Sequence, residues 1–315
     1  MQQIQITVAI CTRDRPHQLR RALSSLVNQE CPSDEILVVD NTPSSEATLM
    51  IAREFPRVRY AREARPGLNV ARNRAIEEAS HEYVAFIDDD AVATPDWVSA
   101  IRCAFLDHPE ISACSGLIKA LCLETDAQRL AEANGGLSRG SLPVHLPGDA
   151  GEKLHGWHVP LIAWATTIGV GCNLCIRRSA AQELGGFDEA LDRGAPLPGG
   201  GDIDIVWRIL VNGGEVLYTP TAVVSHEHRR DMGAAVDQIV GHQRALIAFL
   251  TKALREAKGS NRLSILAYLM WRLLKPGWRI VKRTFGQDVL PAPVLARLWW
   301  NCWIGLVAYK PGVQK

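Results

Sequence analysis

Tyr83-Val84-Ala85-Phe86-Ile87-Asp88-Asp89-Asp90 is the stretch on which the reading of this chain turns. An unbroken apolar run of this length has the texture of a strand covered on both faces. The three carboxylates at its end crowd like charge at one point, which costs free energy unless a cation or hydrogen-bond donors offset it. Hard oxygen ligands at a strand end suit Mg²⁺ or Mn²⁺, ions that bind through a few carboxylates and keep positions open for phosphate oxygens. Taken alone, the triplet reads slightly better as a solvated acidic turn or a helix cap. The pattern on either side reverses that balance.

Upstream, Ile4, Ile6, Val8 and Ile10 alternate with smaller or polar residues and run into the polar loop Cys11-Thr12-Arg13-Asp14-Arg15-Pro16. This predicts a strand, and then a helix from Pro16 whose buried stripe is Leu19, Ala22, Leu23, Leu26 and Val27. Residues 35–40 and 57–63 read as further strands and 70–79 as a helix. Thr94-Pro95-Asp96 predicts a capped helix reaching about Asp107. Strand and helix alternate, so the expected fold is α/β, with a mostly parallel sheet sandwiched by helices. Ligands bind beyond the carboxyl ends of such strands, and Thr12, Asp40 and Asp88 to Asp90 all fall there.

Residues 108–165 give no confident pattern. A strand is predicted over 168–176, then a short helix near 179–184 stopped by Gly185-Gly186. The segment 188–201 ends in Pro196, Pro198, Gly199, Gly200 and Gly201, the composition of a mobile loop beside a site. A helix over 202–212 carries Asp202 and Asp204 in its first turn, where the dipole favours negative side chains. Residues 216–226 read as a final strand pair and 233–254 as a helix.

The chain has 315 residues, 47% of them apolar, enough for one large domain or a domain with an appendage. Its formal charge of +1 conceals an asymmetry. Residues 1–251 carry 23 Lys+Arg against 32 Asp+Glu, whereas residues 252–315 carry 12 against 2. A main domain over 1–251 and a basic helical segment over 252–315 are therefore expected, the latter pointing at an anionic surface. The eight cysteines are scattered in apolar segments and read as reduced packing residues. Cys172 and Cys175 have zinc-like spacing but no second ligand pair. The N-terminus enters a strand pattern without a secretory signal, which predicts a cytoplasmic location. No Gly-x-Gly-x-x-Gly follows the first strand, which argues against a dinucleotide-dependent oxidoreductase.

Together these pieces resemble the family 2 glycosyltransferases of GT-A fold. The matching segments are Val8-Ala9-Ile10-Cys11-Thr12-Arg13-Asp14-Arg15-Pro16, Glu35-Ile36-Leu37-Val38-Val39-Asp40-Asn41, Gly67-Leu68-Asn69-Val70-Ala71-Arg72-Asn73 and Phe86-Ile87-Asp88-Asp89-Asp90. Gly185-Gly186-Phe187-Asp188, Gly200-Gly201-Asp202-Ile203-Asp204 and His226-Glu227-His228-Arg229 follow in order. The resemblance implies a nucleoside-diphosphate sugar as donor and inversion by single displacement. It puts Thr12 and Asp40 at the base, Arg72 near the base or diphosphate, and Asp89 at the ribose. Asp88 and Asp90 form an Asp-x-Asp metal motif, with His226 close to the metal and diphosphate and His228 as the alternative. Asp202 matches the family's general base, but Gly201 stands where the family often has glutamate, so Asp204 stays open as the alternative. Asn173 is expected by the sugar or acceptor pocket, and Trp164 either stacks on a sugar or packs in the core.

A nucleotidyltransferase and a non-catalytic sugar-nucleotide or polysaccharide-binding scaffold are the competing readings. The expected acceptor is a glycan, a small molecule or a lipid-linked saccharide, with no nucleic acid among the partners. Five of the nine tryptophans, at 271, 278, 299, 300 and 303, lie after residue 270 among Arg272, Lys275, Arg279, Lys282, Arg283 and Arg297. That mixture suits the interface of an anionic membrane through residues 259–309, at the inner face of the plasma membrane, or a helical appendage packed on the domain.

Overall fold

The computed structural model describes residues 4–148, 153–154, 157–158, 160–191 and 197–311. The alternating N-terminal segment forms β1 (Ile6–Thr12), and Pro16, whose fixed φ suits a first helical position, opens α1 (Pro16–Val27). β2 (Glu35–Asn41), α2 (Ala47–Arg53), β3 (Val58–Glu63), α3 (Leu68–Glu78) and β4 (Tyr83–Ile87) follow. Next come β5 (Ala91–Ala93), α4 (Trp97–Asp107), β6 (Ile111–Ala120), α5 (Asp126–Ala133) and β7 (Val144–Leu146). The short pair β8 (Lys153–Leu154) and β9 (Trp157–His158) precedes α6 (Leu161–Ile168), β10 (Asn173–Arg177), α7 (Arg178–Glu183), α8 (Gly201–Val211) and β11 (Glu215–His226). The described chain ends with α9 (Met232–Glu256), α10 (Gly259–Thr284) and α11 (Ala292–Ala308).

The main sheet runs β3-β2-β1-β4-β10-β6-β11-β5, with β7 also on β11. β1, β2, β3 and β4 are parallel, which brings the carboxyl ends of four strands to one edge. β10 runs antiparallel between β4 and β6, and β11 is parallel to β6. β5 pairs antiparallel with β11 so that His226 sits opposite Ala91, and the Glu227 N–H donates to the Asp90 carbonyl at 3.0 Å. The polypeptide thus returns a distant histidine to the end of β4.

Side chains sort by the two-residue period of the strands. Ala9, Leu37, Val39, Val84 and Phe86 enter an apolar layer shared with α3, α8 and α9. Val8, Ile10, Ile36, Val38, Ala85 and Ile87 enter the opposite layer with α1 and α4. Cys114, Cys172, Cys175 and Cys302 are buried free thiols within these layers.

Several local expectations change. Val27 is 40% exposed, off the buried stripe of α1. α4 begins at Trp97, because Thr94 bonds the Asp96 carboxylate rather than capping a helix from Pro95. Residues 169–172 are not strand: α6 occupies the run up to Ile168 and β10 starts only at Asn173. Residues 216–226 belong to one long strand rather than a pair. The unassigned region 108–165 contains β6, a full strand at the centre of the sheet, as well as α5 and α6. Of the loop expected over 188–201, residues 192–196 lie outside the described residues.

The boundary expected at 251/252 falls inside α9, and Ile265, Leu269 and Leu273 of α10 share the apolar layer that holds Leu37 and Val84. A buried ion network fastens α8 to α9. Lys252 Nζ lies 2.6 Å from Asp204 Oδ1 and 2.8 Å from Asp188 Oδ2, Arg208 Nε donates to Asp204 at 2.7 Å, and the Tyr309 hydroxyl donates to Asp188 at 3.0 Å. Burial pulls the Asp188 carboxyl upward, but Lys252, the Ala190 N–H and Tyr309 outweigh it and hold it below the ordinary 3.8. With a depressed folded-state value, this stabilisation is complete above about 3.8 and is lost as pH falls through the folded value. Lys252→Met is expected to cost roughly 3–5 kcal/mol in urea unfolding at neutral pH, since it removes the buried cation that Asp204 and Asp188 share and leaves them to Arg208 and Tyr309. The difference from wild type should narrow below pH 3.8; a gap independent of pH would contradict the ionic origin.

Candidate active site

The strand ends open into a cleft of about 930 Å³ lined by Thr12, Arg15, Arg72, Asp88, Asp89, Asp90, Asp202 and His226. Asp89 is gripped on both oxygens, by the Thr12 hydroxyl at 2.7 Å and Arg15 Nη1 at 2.9 Å. Burial still pushes its carboxyl up to about 6, against the pull of Arg15. Asp90 meets Arg15 Nη1 at 3.2 Å and His226 Nε2 at 3.0 Å, with Arg229 Nη1 3.9 Å away. Burial would raise Asp90, but His226, Arg15 and Arg229 together hold it well below the carboxylate range. His226 is raised in turn, the Asp90 carboxylate overcoming the effect of burial.

Asp88 is different. Its side chain is 35% exposed to the cleft, and its nearest cationic partner is His226 Nε2 at 3.9 Å. Desolvation and the neighbouring Asp90 raise its pKa, Arg72 and His226 oppose the rise, and Asp202 adds to it. Asp88, Cys172 and His226 bring ligand atoms that all lie within 4.8 Å of one another. Burial and the nearby acids lift the Cys172 thiol well above its usual value, and its soft sulfur is a poor match for a hard cation. The donors that fit Mg²⁺ or Mn²⁺ are therefore Asp88, Asp90 and His226, and the orphaned, buried His226 Nδ1 marks this as an under-satisfied polar centre.

Asp202 stands in the first turn of α8. Its Oδ2 accepts from the Gly171 N–H at 2.9 Å and its Oδ1 from the Ile203 N–H at 3.0 Å, which fixes the carboxylate on the cleft wall. Arg72 on α3 lies over the Phe187 ring at 5.4 Å, and its Nη1 donates to Asn69 Oδ1 at 3.3 Å. A Cβ on Gly171 would stand 2.1 Å from Arg72 Nη2, so glycine there admits the guanidinium.

Three expected site residues lie elsewhere. Asp204, the alternative base, is 1% exposed, points away from the cleft and is consumed by Lys252 and Arg208. Asn173 is a structural clamp: its Nδ2 donates to Leu117 O at 3.1 Å and Ala222 O at 2.9 Å, and its Oδ1 accepts from Trp97 Nε1 at 2.9 Å. It satisfies a carbonyl freed by the register shift between Thr219 and Val223 in β11. Asp40 closes β2 next to Thr12 but lies behind the wall, where Asn41 lines the cleft instead. Its Oδ2 accepts from the Tyr60 hydroxyl at 2.9 Å, its Oδ1 is buried without a partner, and desolvation raises its pKa. Trp164 is a core residue, 6% exposed.

Arg15 and Arg229 carry no local pattern that would have singled them out. Arg13 and Arg15 flank one aspartate alike, and only the turn into α1 aims Arg15 at the acids. His228, beside Glu132 at 2.8 Å, also faces the cleft. So do Tyr268, Arg272, Lys275 and Arg279 of α10, assigned to an appendage by composition.

The fold is GT-A, as comparison with solved structures shows. A mannosyltransferase from Pyrobaculum calidifontis in complex with GDP-Man and Mn²⁺ superposes with a TM-score of 0.62 at 16% identity, covering 98% of this chain and 88% of that one. TarS residues 1–349 from S. aureus superpose at 0.55 and 16% identity over 97% and 89%. The chain belongs to Glycosyl transferase family 2, whose sequence profile matches residues 7–185. Its relatives include the pre-mycofactocin glycosyltransferase of Mycobacterium tuberculosis, 24% identical over 93% of this chain and 62% of that protein's length. The succinoglycan biosynthesis protein ExoM of Rhizobium meliloti is 24% identical over 71% of this chain and 67% of its own length.

Gly201, which departs from the residue common in the family, has a local cause. A Cβ there would fall 1.9 Å from Asn69 Nδ2, and that amide is already held by the Asp188 and Leu191 carbonyls at 2.7 and 2.9 Å. Gly201→Ala is expected to destabilise by roughly 1–3 kcal/mol through overpacking. In a double-mutant cycle Asn69→Ala should recover part of that loss; strict additivity would remove Asn69 as the cause.

Proposed function

We propose that the chain is a divalent-metal-dependent, inverting glycosyltransferase that moves a sugar from a nucleoside-diphosphate sugar to an acceptor hydroxyl. The observation that carries this reading is one cleft holding the Asp88–Asp90–His226 cluster together with a separately anchored acid, Asp202. Relatives bearing glycosyltransferase names support sugar transfer, and neighbours in complex with GDP-Man and Mn²⁺ or with UDP-GlcNAc support the donor class.

In this mechanism Thr12 and Arg15 hold Asp89 rigid at the ribose, while Asn41, which lines the cleft at the end of β2, supplies a polar edge toward the base. Arg72 adds positive charge beside the diphosphate. Asp88, Asp90 and His226 would hold Mg²⁺ or Mn²⁺, which when bound neutralises the negative charge that grows on a diphosphate leaving group. Asp202 accepts the acceptor hydroxyl proton as the oxygen attacks the anomeric carbon from the face opposite the leaving diphosphate. Its two backbone donors keep one oxygen lone pair oriented for that task.

Asp202→Asn should lower transfer roughly 10²–10⁴-fold and leave UDP or GDP affinity in Mn²⁺ within twofold by calorimetry. Asp204→Asn should lower stability, with kcat of the folded enzyme largely kept. The reverse outcome would move the base to Asp204. Asp90→Ala should weaken Mn²⁺-dependent nucleotide binding, and unchanged affinity would take it out of the metal shell. Donor hydrolysis in Mn²⁺ separates an enzyme from a binding scaffold.

The acceptor is a glycan, a lipid-linked saccharide or a small molecule, and the enzyme works at an anionic membrane surface on the cytoplasmic side. Supporting this, Leu263, Leu266, Met270, Leu274, Val281 and Phe285 form an exposed apolar ridge along α10, continued by Trp299, Trp300 and Trp303 of α11. Large exposed apolar patches rimmed by polar groups mark interaction surfaces. The surrounding 12 basic and 2 acidic residues of 252–315 favour an anionic bilayer as the occupant. Among the described residues no helix is long and apolar enough to cross a membrane. The protein should sediment with phosphatidylglycerol-containing vesicles, and Leu274→Glu with Phe285→Glu should abolish this. A dimer that buries the ridge and ignores vesicles would overturn the membrane assignment.

A further inference from the structure

The helix that carries the apolar ridge turns a different sector inward. At about 100° per residue, Tyr268, Arg272, Lys275 and Arg279 recur at i, i+4, i+7 and i+11 and share one face, roughly opposite the ridge. All four line the catalytic cleft. Ile265, Leu269 and Leu273 form the intervening sector, which packs in the core and locks the helix in rotation.

The charges on the cleft face are unequally compensated. Arg279 is fully engaged, bidentate to Asp288 at 2.6 and 2.8 Å and bonded to Asn134 at 2.9 Å. Arg272 has one neutral partner, Gln243 at 2.9 Å, and its buried Nε has none. Among the described residues Lys275 has neither hydrogen bond nor ion pair. Its ammonium rests over the Trp271 ring at 4.7 Å, and the Arg272 guanidinium lies 5.7 Å from the same ring. Burial, then Arg272 and Arg279, press the Lys275 pKa down to about 8. Two cations drawn together against one indole, part-buried and facing a substrate cleft, leave a donor set suited to a phosphate group.

The position of this face also indicates which substrate it meets. The Tyr268 hydroxyl is 2.9 Å from Thr166 Oγ1 on α6, and the C-terminal Gly169 of that helix abuts the backbone of Asp202 and Ile203. Through Tyr268 and α6, the helix that carries the basic pair is therefore coupled to the wall that carries the base. Groups on the base's side receive the attacking molecule.

We infer that Arg272 and Lys275 form a subsite for a phosphate group on the acceptor. The inference rests on the transfer reading of the cleft, and it narrows the acceptor to a phosphate-bearing hydroxyl compound. That phosphate is either lipid-borne, reaching the cleft from the bilayer side of α10, or part of a soluble sugar phosphate.

The test is calorimetric binding to the intact protein of hexyl phosphate, glucose 1-phosphate and hexanol, with UDP or GDP plus Mn²⁺ titrated separately. Hexyl phosphate or glucose 1-phosphate should bind and hexanol should not. Lys275→Met, which keeps packing on Trp271, and Arg272→Gln, which keeps a polar side chain toward Gln243, should each weaken the phosphate probe at least tenfold. Both variants should keep nucleotide affinity within twofold. Tighter binding of hexyl phosphate supports a lipid-borne group and tighter binding of glucose 1-phosphate a soluble one. Unchanged phosphate affinity in both variants, or a loss confined to the nucleotide, overturns the subsite. Failure of every nucleotide to bind would count against the transfer reading and leaves the phosphate measurement to be judged separately.

Discussion

Four carboxylates drawn into one cleft dominate the energetics of this molecule. Asp90 and Asp202 are close enough to Asp88 for their repulsion to raise its pKa, and Asp89 lies beside them. Two unit charges about 4 Å apart repel by about 4 kcal/mol at an effective dielectric near 20, so the cluster survives only because the surrounding fold supplies cations from unrelated parts of the sequence. Arg15 arrives from the β1–α1 turn, Arg72 from α3, and His226 from the end of β11. The antiparallel β5–β11 pairing exists at the one point where it can set an imidazole beside Asp90. What is left uncompensated lies at Asp88, the most exposed of the three strand-end acids, which is where a bound cation has most to offset.

Two glycines adjust this arrangement by what they omit. Gly171 leaves room for the Arg72 guanidinium, and Gly201 leaves room for the Asn69 amide. Both contacts tie α3, on the strand-end side, to the segment that carries Asp202. The spacing between the base and the acidic cluster is set by packing through these gaps, with no covalent or sequence-local link between the two halves. A side chain at either position would push apart the groups whose convergence defines the site.

The β-α alternation, the two-layer burial of β1, β2 and β4, and the acids at their ends were legible because each depends on local period and on strand direction alone. The losses have equally specific causes. β6 reads Ile111-Ser112-Ala113-Cys114-Ser115-Gly116-Leu117-Ile118, too rich in small residues to announce a central strand, yet Gly116 is required because a Cβ there would strike Ala222 O at 2.1 Å. Asn173 resembled a pocket residue because the bulge it repairs lies in β11, about fifty positions away. Asp202 and Asp204 were inseparable in sequence, although residues two apart on a helix point roughly 200° from each other. One therefore faces the cleft while the other must find Lys252.

The C-terminal segment shows the same limit in a stronger form. Composition marked it as basic and rich in tryptophan, and composition has no direction. In the fold, α10 divides its circumference among three environments: the core through Leu269, the cleft through Arg272 and Lys275, and solvent through Leu274 and Phe285. A helix anchored by its core sector cannot rotate, so whatever the outer ridge rests against is held at a fixed distance from the basic face and, through α6, from Asp202. Pro276, inside the continuous α10, removes the N–H that would bond the Arg272 carbonyl, and that carbonyl is met by the Cys302 thiol at 4.0 Å instead. The tail thus belongs to the wall of the site, and its excess of positive charge is spent in two directions, outward around the ridge and inward toward the base.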